Sequence, residues 1–145
     1  MRRIAAAGIG LAVLGLMSTM PASALVMSSI NVSLTGEGTG KMGITLDHDS
    51  VQAGKVTFVV KNDATSESHE MVVIRLASPD AELPYDAAKE RVLENKVKKL
   101  GEVSDLKPGA DKMLTLDLTP GTYKLICNMK GHYMAGMSAV VTVTK

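Results

Sequence analysis

The chain is organised around the stretch Cys127-Asn-Met-Lys-Gly-His132-Tyr-Met-Ala-Gly-Met137. It places a thiol, an imidazole and a thioether at steps of five residues. Two glycines interrupt the stretch, and an unbroken run of β-branched residues, 140–144, follows it. Glycines followed by such a run are typical of a tight loop between two strands rather than of a helix. The three side chains are therefore predicted to project from one loop.

Short segments with alternating apolar residues, on both sides of this loop, predict a β-protein. Tyr123, Leu125 and Cys127 share one face of the strand that leads into the loop, so the cysteine is predicted to point into the core. A nearly continuous apolar strand, 71–76, is predicted to be buried on both faces. Other strands are predicted near residues 30–35, 42–46, 56–60, 114–118 and 139–143. About seven strands with Gly/Pro turns between them indicate an all-β fold, an antiparallel Greek-key β-sandwich.

Residues 84–100 change the pattern and predict one outer α-helix. Four apolar residues recur there at helical spacing on one stripe: Val92, Leu93, Val97 and Leu100. Asp86 is the predicted N-cap, and Gly101 lies where a helix C-terminal glycine is favoured. Glu94 and Lys98 are spaced to form an i,i+4 ion pair. The sequence therefore predicts a single helix packed against the outside of the sandwich.

Residues 1–24 have the pattern of a secretory signal peptide. An Arg-Arg pair precedes an apolar segment, 4–17, and Ala-Ser-Ala at 22–24 matches the small-residue cleavage site. Cleavage would leave one domain, residues 25–145, in the periplasm. No stable membrane insertion is expected after cleavage, because the apolar segment is short for a span and no second one follows. A retained signal anchor is the alternative.

The composition of the mature chain excludes several classes of function. Removing Arg2 and Arg3 leaves 14 Lys and Arg against 15 Asp and Glu, a net charge of about −1. Without a basic stripe or an aromatic platform, no nucleic-acid partner is expected, and the domain is expected to be a monomer. The single cysteine is informative, because cysteines of exported proteins usually form disulfides. A lone thiol in that compartment indicates a buried or metal-bound sulfur.

A second imidazole would complete a copper site with the three side chains of the loop. A thiolate, two imidazoles and a weak axial thioether together favour one copper ion, in a site of the electron-transfer type. His69 follows a small polar loop and opens the buried strand, whereas His48 lies in a solvated Asp-His-Asp turn. We therefore predict His69 as the second imidazole. Zinc is the competing metal, but it prefers a harder fourth ligand than a thioether.

Several of these segments together resemble the cupredoxins, the small type 1 blue copper proteins that include plastocyanin, azurin, auracyanin and rusticyanin. The Cys-x4-His-x4-Met spacing is most similar to that of auracyanin and rusticyanin. The segments that carry the resemblance are Val56–Asn62, Ser68–Glu70, Leu106–Gly109, Pro120–Cys127, Gly131–His132 and Gly136–Met137. The resemblance therefore covers most of the mature chain.

This resemblance implies an electron carrier rather than an enzyme, cycling one copper ion between Cu(I) and Cu(II). It implies His69, Cys127 and His132 as the strong ligands and Met137 as the axial ligand. One position departs from the family pattern: many members have Asn after the first ligand histidine, where this chain has Glu70. That Asn ties the two ligand loops together. A Glu70 that points inward would add an acidic group near the site and lower the potential, and one that points outward would leave the tie to Asn128.

Two hypotheses concern what the site interacts with. Around His132, an apolar patch of Met129, Tyr133, Met134 and Ala135 is predicted to dock redox partner proteins; ordinary loop packing is the alternative. The second hypothesis replaces electron transfer by copper delivery or tolerance in the periplasm. Its basis is the supply of seven methionines in the mature chain, because soft thioethers favour Cu(I).

Overall fold

The described part of the chain, residues 27–145 of a computed structural model, forms two facing β-sheets. Its strands are β1 (Met27–Thr35), β2 (Gly43–Leu46), β3 (Ser50–Gln52), β4 (Gly54–Asn62), β5 (His69–Arg75), β6 (Tyr85–Asp86), β7 (Arg91–Val92), β8 (Lys98–Leu106), β9 (Asp111–Leu118), β10 (Gly121–Ile126) and β11 (Ser138–Thr144). One sheet has the order β2-β1-β4-β9, the other β3-β11-β10-β5-β8, and β6 and β7 form a separate hairpin. The predicted β-sandwich is confirmed. The signal peptide predicted over 1–24 lies outside the described residues.

The alternating residues of the strands fill the space between the two sheets. Ile30, Val32 and Leu34 of β1 are at most 2% exposed, and Val56, Phe58 and Val60 of β4 are fully buried. Each such side chain removed from water stabilises the fold by about 2 kcal/mol. Within the part of the chain that the structure describes, no helix is long and apolar enough to cross a membrane.

Two of the strand pairs differ from the antiparallel arrangement that the sequence predicts. β1 pairs with β4 in parallel, and β3 pairs with β11 in parallel, while the other pairs are antiparallel. The chain leaves β1 for β2, crosses to the second sheet at β3 and returns to β4 beside β1. Crossing between the sheets lets β4 run in the same direction as β1, which a direct hairpin could not do.

The α-helix predicted over 84–100 is wrong. The segment contains the β6–β7 hairpin, a 3-10 helix (Glu94–Lys96) and the start of β8. Of its apolar stripe, Val92 is buried and the other three residues are partly buried. Val92 and Val97 pack on the outer face of the second sheet, and Leu100 packs against the core between the sheets. Val92 and Val97 therefore cover the outside of the sheet as expected, but from non-helical backbone, whereas Leu100 lies on the inner side.

Local interactions explain why no helix forms there. The carboxylate of Asp86 accepts the amides of Ala88 and Lys89 at 3.0 and 3.1 Å, which closes a tight turn. Glu90 then adopts a positive φ of 54°, which a right-handed helix does not allow. Gly101, the predicted C-terminal glycine, lies within β8, where an added Cβ would stand 3.1 Å from a methyl group of Leu116.

The predicted ion pair also changes partner. Glu94 binds Lys99 at 2.7 Å rather than Lys98. In extended backbone, residues four apart do not face one another as they do on a helix.

The sheet register brings the ends of three strands to one edge of the sandwich. β5 and β10 are antiparallel neighbours, with Ile126 opposite Val72. His69 at the start of β5 therefore lies beside Cys127, which directly follows β10. β11 begins at Ser138, immediately after Met137. The strand predicted over 71–76 is buried on both faces, because the 84–97 segment covers its outer side.

Candidate metal centre

Three side chains that the sequence predicts as ligands meet at this edge of the sandwich. The ligand atoms of His69, Cys127 and His132 all lie within 4.8 Å of one another. His69 and Cys127 are fully buried, and His132 is 9% exposed. Among residues 27–145, these three residues are the group of His, Cys, Asp or Glu side chains that lie close enough together to hold a metal ion. His48, the alternative imidazole, is exposed and pairs with Asp47 at 2.9 Å.

The three donor atoms face a common centre. Nδ1 of His69 is 3.2 Å from Nδ1 of His132, and Sγ of Cys127 is 3.4 Å from the same His132 nitrogen. The two imidazole rings are edge to face, with centroids 5.1 Å apart and planes inclined by 67°. One sulfur and two nitrogens thus converge on a space shielded from water.

A backbone carbonyl orients His69. Its Nε2 lies 3.1 Å from the carbonyl oxygen of Gly36. Because a carbonyl only accepts hydrogen bonds, Nε2 carries the proton and Nδ1 keeps its lone pair directed at the cluster. This is the tautomer that a metal-binding imidazole requires.

The residue after Gly36 holds the loop that precedes His69. The Glu37 carboxylate accepts the backbone amides and the hydroxyl groups of Thr65 and Ser66. These bonds, that of the Ser66 hydroxyl first, lower the pKa of Glu37 to about 2. Neither the role of Gly36 nor that of Glu37 could be predicted from the sequence, because a carbonyl leaves no side-chain signal and the partners of the Glu37 carboxylate lie nearly thirty residues away.

Cys127 is held as a thiol in an environment that disfavours the free thiolate. Burial raises the pKa of Cys127 to about 11, although the backbone amides of Glu70 and Met129 donate hydrogen bonds to the sulfur. The Glu70 amide nitrogen is 3.4 Å from Sγ. A bound cation would supply the charge compensation that this buried sulfur otherwise lacks.

His132 is presented by the tight turns predicted around Gly131 and Gly136, which have φ values of +81° and +106°. Its amide donates to the Met129 carbonyl at 3.0 Å, and its carbonyl accepts the Met137 amide at 3.1 Å. Burial, followed by the neighbouring His69, lowers the pKa of His132. Its imidazole is therefore kept in the neutral form that binds metals.

Met137, the predicted axial ligand, is fully buried next to the cluster. Its carbonyl accepts the Cys127 amide at 3.1 Å, and its own amide is bonded to His132. The backbone of Met137 is thus fixed to both loop ligands. Its role as a ligand remains a prediction.

Glu70 links the two ligand loops, because its backbone amide donates to Sγ of Cys127 at 3.4 Å. Its half-buried carboxylate accepts a hydrogen bond from the backbone amide of Asn128. Burial, and then the nearby Glu94, raise the pKa of Glu70. The side chain of Asn128 also makes two hydrogen bonds to the backbone of Val92: it accepts the Val92 amide and donates to the Val92 carbonyl.

The chemistry of the donor set fits a copper ion. Thiolate and imidazole together suit copper, and buried donors that are positioned in advance do not have to be ordered when the metal binds. Two of the donors also have backbone partners, the Gly36 carbonyl for His69 and the Glu70 amide for Cys127, as metal ligands in proteins commonly do.

Comparisons with known proteins agree with this site. The family model "Copper binding proteins, plastocyanin/azurin family" matches residues 30–144. No curated protein is matched by sequence. Among similar solved structures are dithionite-reduced auracyanin from Roseiflexus castenholzii (20% identity, TM-score 0.57, 81% of this chain and 98% of that one) and auracyanin B (21%, 0.57, 88% and 96%). Rusticyanin from Thiobacillus ferrooxidans is also similar (14%, 0.61, 81% and 77%).

At these identities the solved structures support the fold, a cupredoxin sandwich, and the family model adds copper binding. His69, Cys127 and His132 provide a single site of the matching chemistry. Since the family model spans more than half of the chain, we conclude that this protein belongs to the plastocyanin/azurin family of copper-binding proteins.

Proposed function

We propose that the chain is an exported one-electron carrier of the periplasm. Its single copper ion would be held by His69, Cys127 and His132, with Met137 as a weak axial ligand. The observation that carries this proposal is the buried convergence of one sulfur and two imidazole nitrogens, all within 4.8 Å of one another. Nδ1 of His132 lies 3.2 Å from Nδ1 of His69 and 3.4 Å from Sγ of Cys127. This donor set is that of electron-transfer copper sites.

The residues of the site would each serve electron transfer in a distinct way. When bound, the copper ion supplies the Cu(I)/Cu(II) couple. Cys127 provides the thiolate, and the Gly36 carbonyl keeps His69 oriented. The core residues around Cys127 and Met137 exclude water, and among the described residues the site lacks the additional histidines that catalytic copper would need. The chain is therefore proposed to act as a carrier, not an enzyme.

Electrons would leave and enter near His132, the most exposed of the three donors. Next to it lies the exit patch, which we define as Met129, Tyr133, Met134 and Ala135. Met134 is 66% exposed and Met129 is partly buried. An apolar patch that is exposed at Met134 and Ala135, in the same loop as His132, suits brief docking of redox partner proteins.

A second function, copper delivery or tolerance, is favoured by one specific observation. The exposed thioether of Met134 lies two residues from His132 in the loop that holds the site. Such a sulfur could receive Cu(I) from a donor or pass it on. In this function the metal would be released on reduction, whereas a carrier keeps its copper in both oxidation states.

The experiment is a titration of the metal-free mature protein with Cu(II), followed by visible spectroscopy and redox cycling. An electron carrier develops intense absorption in the red that saturates at one copper per chain. Ascorbate should bleach it and a mild oxidant restore it, with the copper retained through repeated cycles. Cys127→Ser is the control and should stay colourless. A wild-type protein that stays colourless, or loses copper at each reduction, would contradict the proposal; the second result would favour delivery.

A further inference from the structure

The outer side of the ligand loop lies against the hairpin that replaces the expected helix. The Gly131 amide donates to the Glu90 carbonyl at 2.9 Å, and Lys130 forms an ion pair with the Glu90 carboxylate at 3.2 Å. The rings of Tyr133 and Tyr85 lie 6.0 Å apart. We call residues 85–94 the brace. The loop and the brace are thus in contact at several separate points.

Asn128 makes the closest of these contacts. Its side-chain oxygen accepts the Val92 amide at 2.7 Å, and its NH2 group donates to the Val92 carbonyl at 3.0 Å. The same NH2 group donates to the Glu94 carboxylate at 2.8 Å. Asn128 is only 3% exposed. Its amide therefore pairs with both backbone groups of one residue, Val92, as a neighbouring strand would. Such pairing requires a donor and an acceptor on a short side chain.

The backbone of the brace is strained where it meets the loop. Glu90 has a φ of 54°, a conformation uncommon for residues other than glycine. Such strain persists where the surrounding structure holds it in place. Here the strained residue directs its carbonyl at the Gly131 amide, one residue before His132.

Asn128 lies in the chain between the ligand Cys127 and Met129, whose backbone amide faces the Cys127 sulfur and lowers its pKa. The Met129 carbonyl accepts the amide of the ligand His132 at 3.0 Å. Fixing the Asn128 side chain therefore fixes the peptide unit that carries the Met129 amide. Hydrogen bonds to a ligand sulfur withdraw electron density from it and favour the reduced metal, so they raise the reduction potential.

From these contacts we propose that the brace holds the ligand loop in its metal-binding shape before the metal arrives. Asn128 is the positioning residue through which the brace acts on Cys127. This inference rests on the proposed copper function of the same site. The hairpin would then position the ligand loop as well as cover the outer face of the sheet.

Two variants and one control test the inference. Asn128→Ala removes all three side-chain bonds, and Asn128→Asp keeps the size and the acceptor but loses the donors. The control is Tyr123→Phe, which removes a buried hydroxyl, bonded to Thr119 at 2.7 Å, near the opposite end of β10. The readouts are amide exchange of Met129 and Gly131 in the metal-free protein, the rate of copper transfer to a chelator, and the reduction potential.

Both Asn128 variants should speed exchange at Met129 and Gly131, lower the potential and release copper about ten-fold faster or more. Tyr123→Phe should leave the exchange rates and the rate of copper release within about two-fold of wild type, since distant sites act independently. Its reduction potential should equal that of the wild type. Wild-type values in both Asn128 variants, or equal effects from Tyr123→Phe, would overturn the inference. If Asn128→Ala does not fold, Asn128→Asp decides the question.

The outcomes also separate this inference from the proposed function. If the wild-type protein turns blue with copper and cycles reversibly, and the Asn128 variants behave as the wild type does, only the proposed role of the brace is overturned. A wild type that binds no copper overturns the proposed function. In that case the exchange of Met129 and Gly131 in the metal-free protein still decides whether the brace orders the loop.

Discussion

Cys127 is the residue on which the chemistry of the site depends. It is fully buried, and burial raises its pKa to about 11. At neutral pH the metal-free protein therefore keeps a proton on the sulfur. A ligand thiolate has lost that proton, so metal binding and deprotonation of Cys127 must occur together.

Proton release is the direct consequence. At pH 8, below the raised pKa, Cu(II) binding should release about one proton per metal ion. The release should diminish only as the pH approaches 11, where the free thiol itself begins to ionise. Calorimetry in buffers of different ionisation enthalpy measures this number, and Cys127→Ser should lack it. Colour formation without proton release would show that Cys127 is already a thiolate.

Met137 is the residue expected to tune the potential. Met137→Leu removes the axial thioether, and if it weakens Cu(II) binding about tenfold relative to Cu(I), the potential rises by about 59 mV. Met137→Gln offers a harder oxygen that favours Cu(II), so the potential should fall. Voltammetry of the three proteins should give the order Leu, Met, Gln from high to low. Identical potentials would show that Met137 is not a ligand.

At this scale the sequence was informative where side chains carry the chemistry. The spacing of Cys127, His132 and Met137 predicted one loop, and the start of a buried strand singled out His69. The Gly36 carbonyl that orients His69 could not be predicted, because every residue has a carbonyl and only the packing of the loops decides which one reaches the ring.

At the scale of elements, the segment from β6 to β8 shows how far periodicity can mislead. Val92, Val97 and Leu100 recur at helical spacing, yet Val92 and Val97 pack on the outer face of the second sheet and Leu100 faces the space between the sheets. Spacing shows that residues are buried, but it does not show whether they are buried in the same place. The turn at Asp86 and the positive φ of Glu90 decided the structure.

Paired glycine substitutions distinguish the hairpin from a helix. Glu90→Gly should raise the free energy of unfolding by about 0.5–1 kcal/mol, because glycine adopts a positive φ without strain. Ala88→Gly, two residues earlier and also exposed, should lower it by about 0.4–1 kcal/mol through greater freedom of the unfolded chain. Denaturant unfolding measures both. In a helix each substitution would cost about 1 kcal/mol, so destabilisation by both would contradict the hairpin.

At the scale of the whole molecule, the sandwich brings distant segments together at one edge. His69 and Cys127 are far apart in sequence but lie at adjacent ends of β5 and β10. The sequence predicted the strands and the sandwich. The parallel pairing of β1 with β4 and of β3 with β11 depends on which sheet each strand joins, and no local pattern records that choice.

The molecular surface offers a matched test of the exit patch. Met134, beside the site, and Met113, on β9 of the other sheet, are 66% and 73% exposed. Met134→Lys should slow electron exchange with a redox partner about ten-fold, because it places a charge in the centre of the docking surface. Met113→Lys should have little effect, and both should bind copper as wild type does. Equal rates in stopped-flow experiments, or lost copper binding in Met134→Lys, would count against the patch.

The central claim is that one metal ion binds one sulfur and two imidazole nitrogens inside the sandwich. X-ray absorption at the copper edge of the loaded protein measures this set of neighbours directly. We expect one short copper–sulfur distance, from Cys127, and two imidazole nitrogens, from His69 and His132. Loss of the sulfur signal in Cys127→Ser would assign that signal to Cys127. A spectrum of nitrogen and oxygen neighbours alone in the wild-type protein would show that the metal does not bind this set of donors.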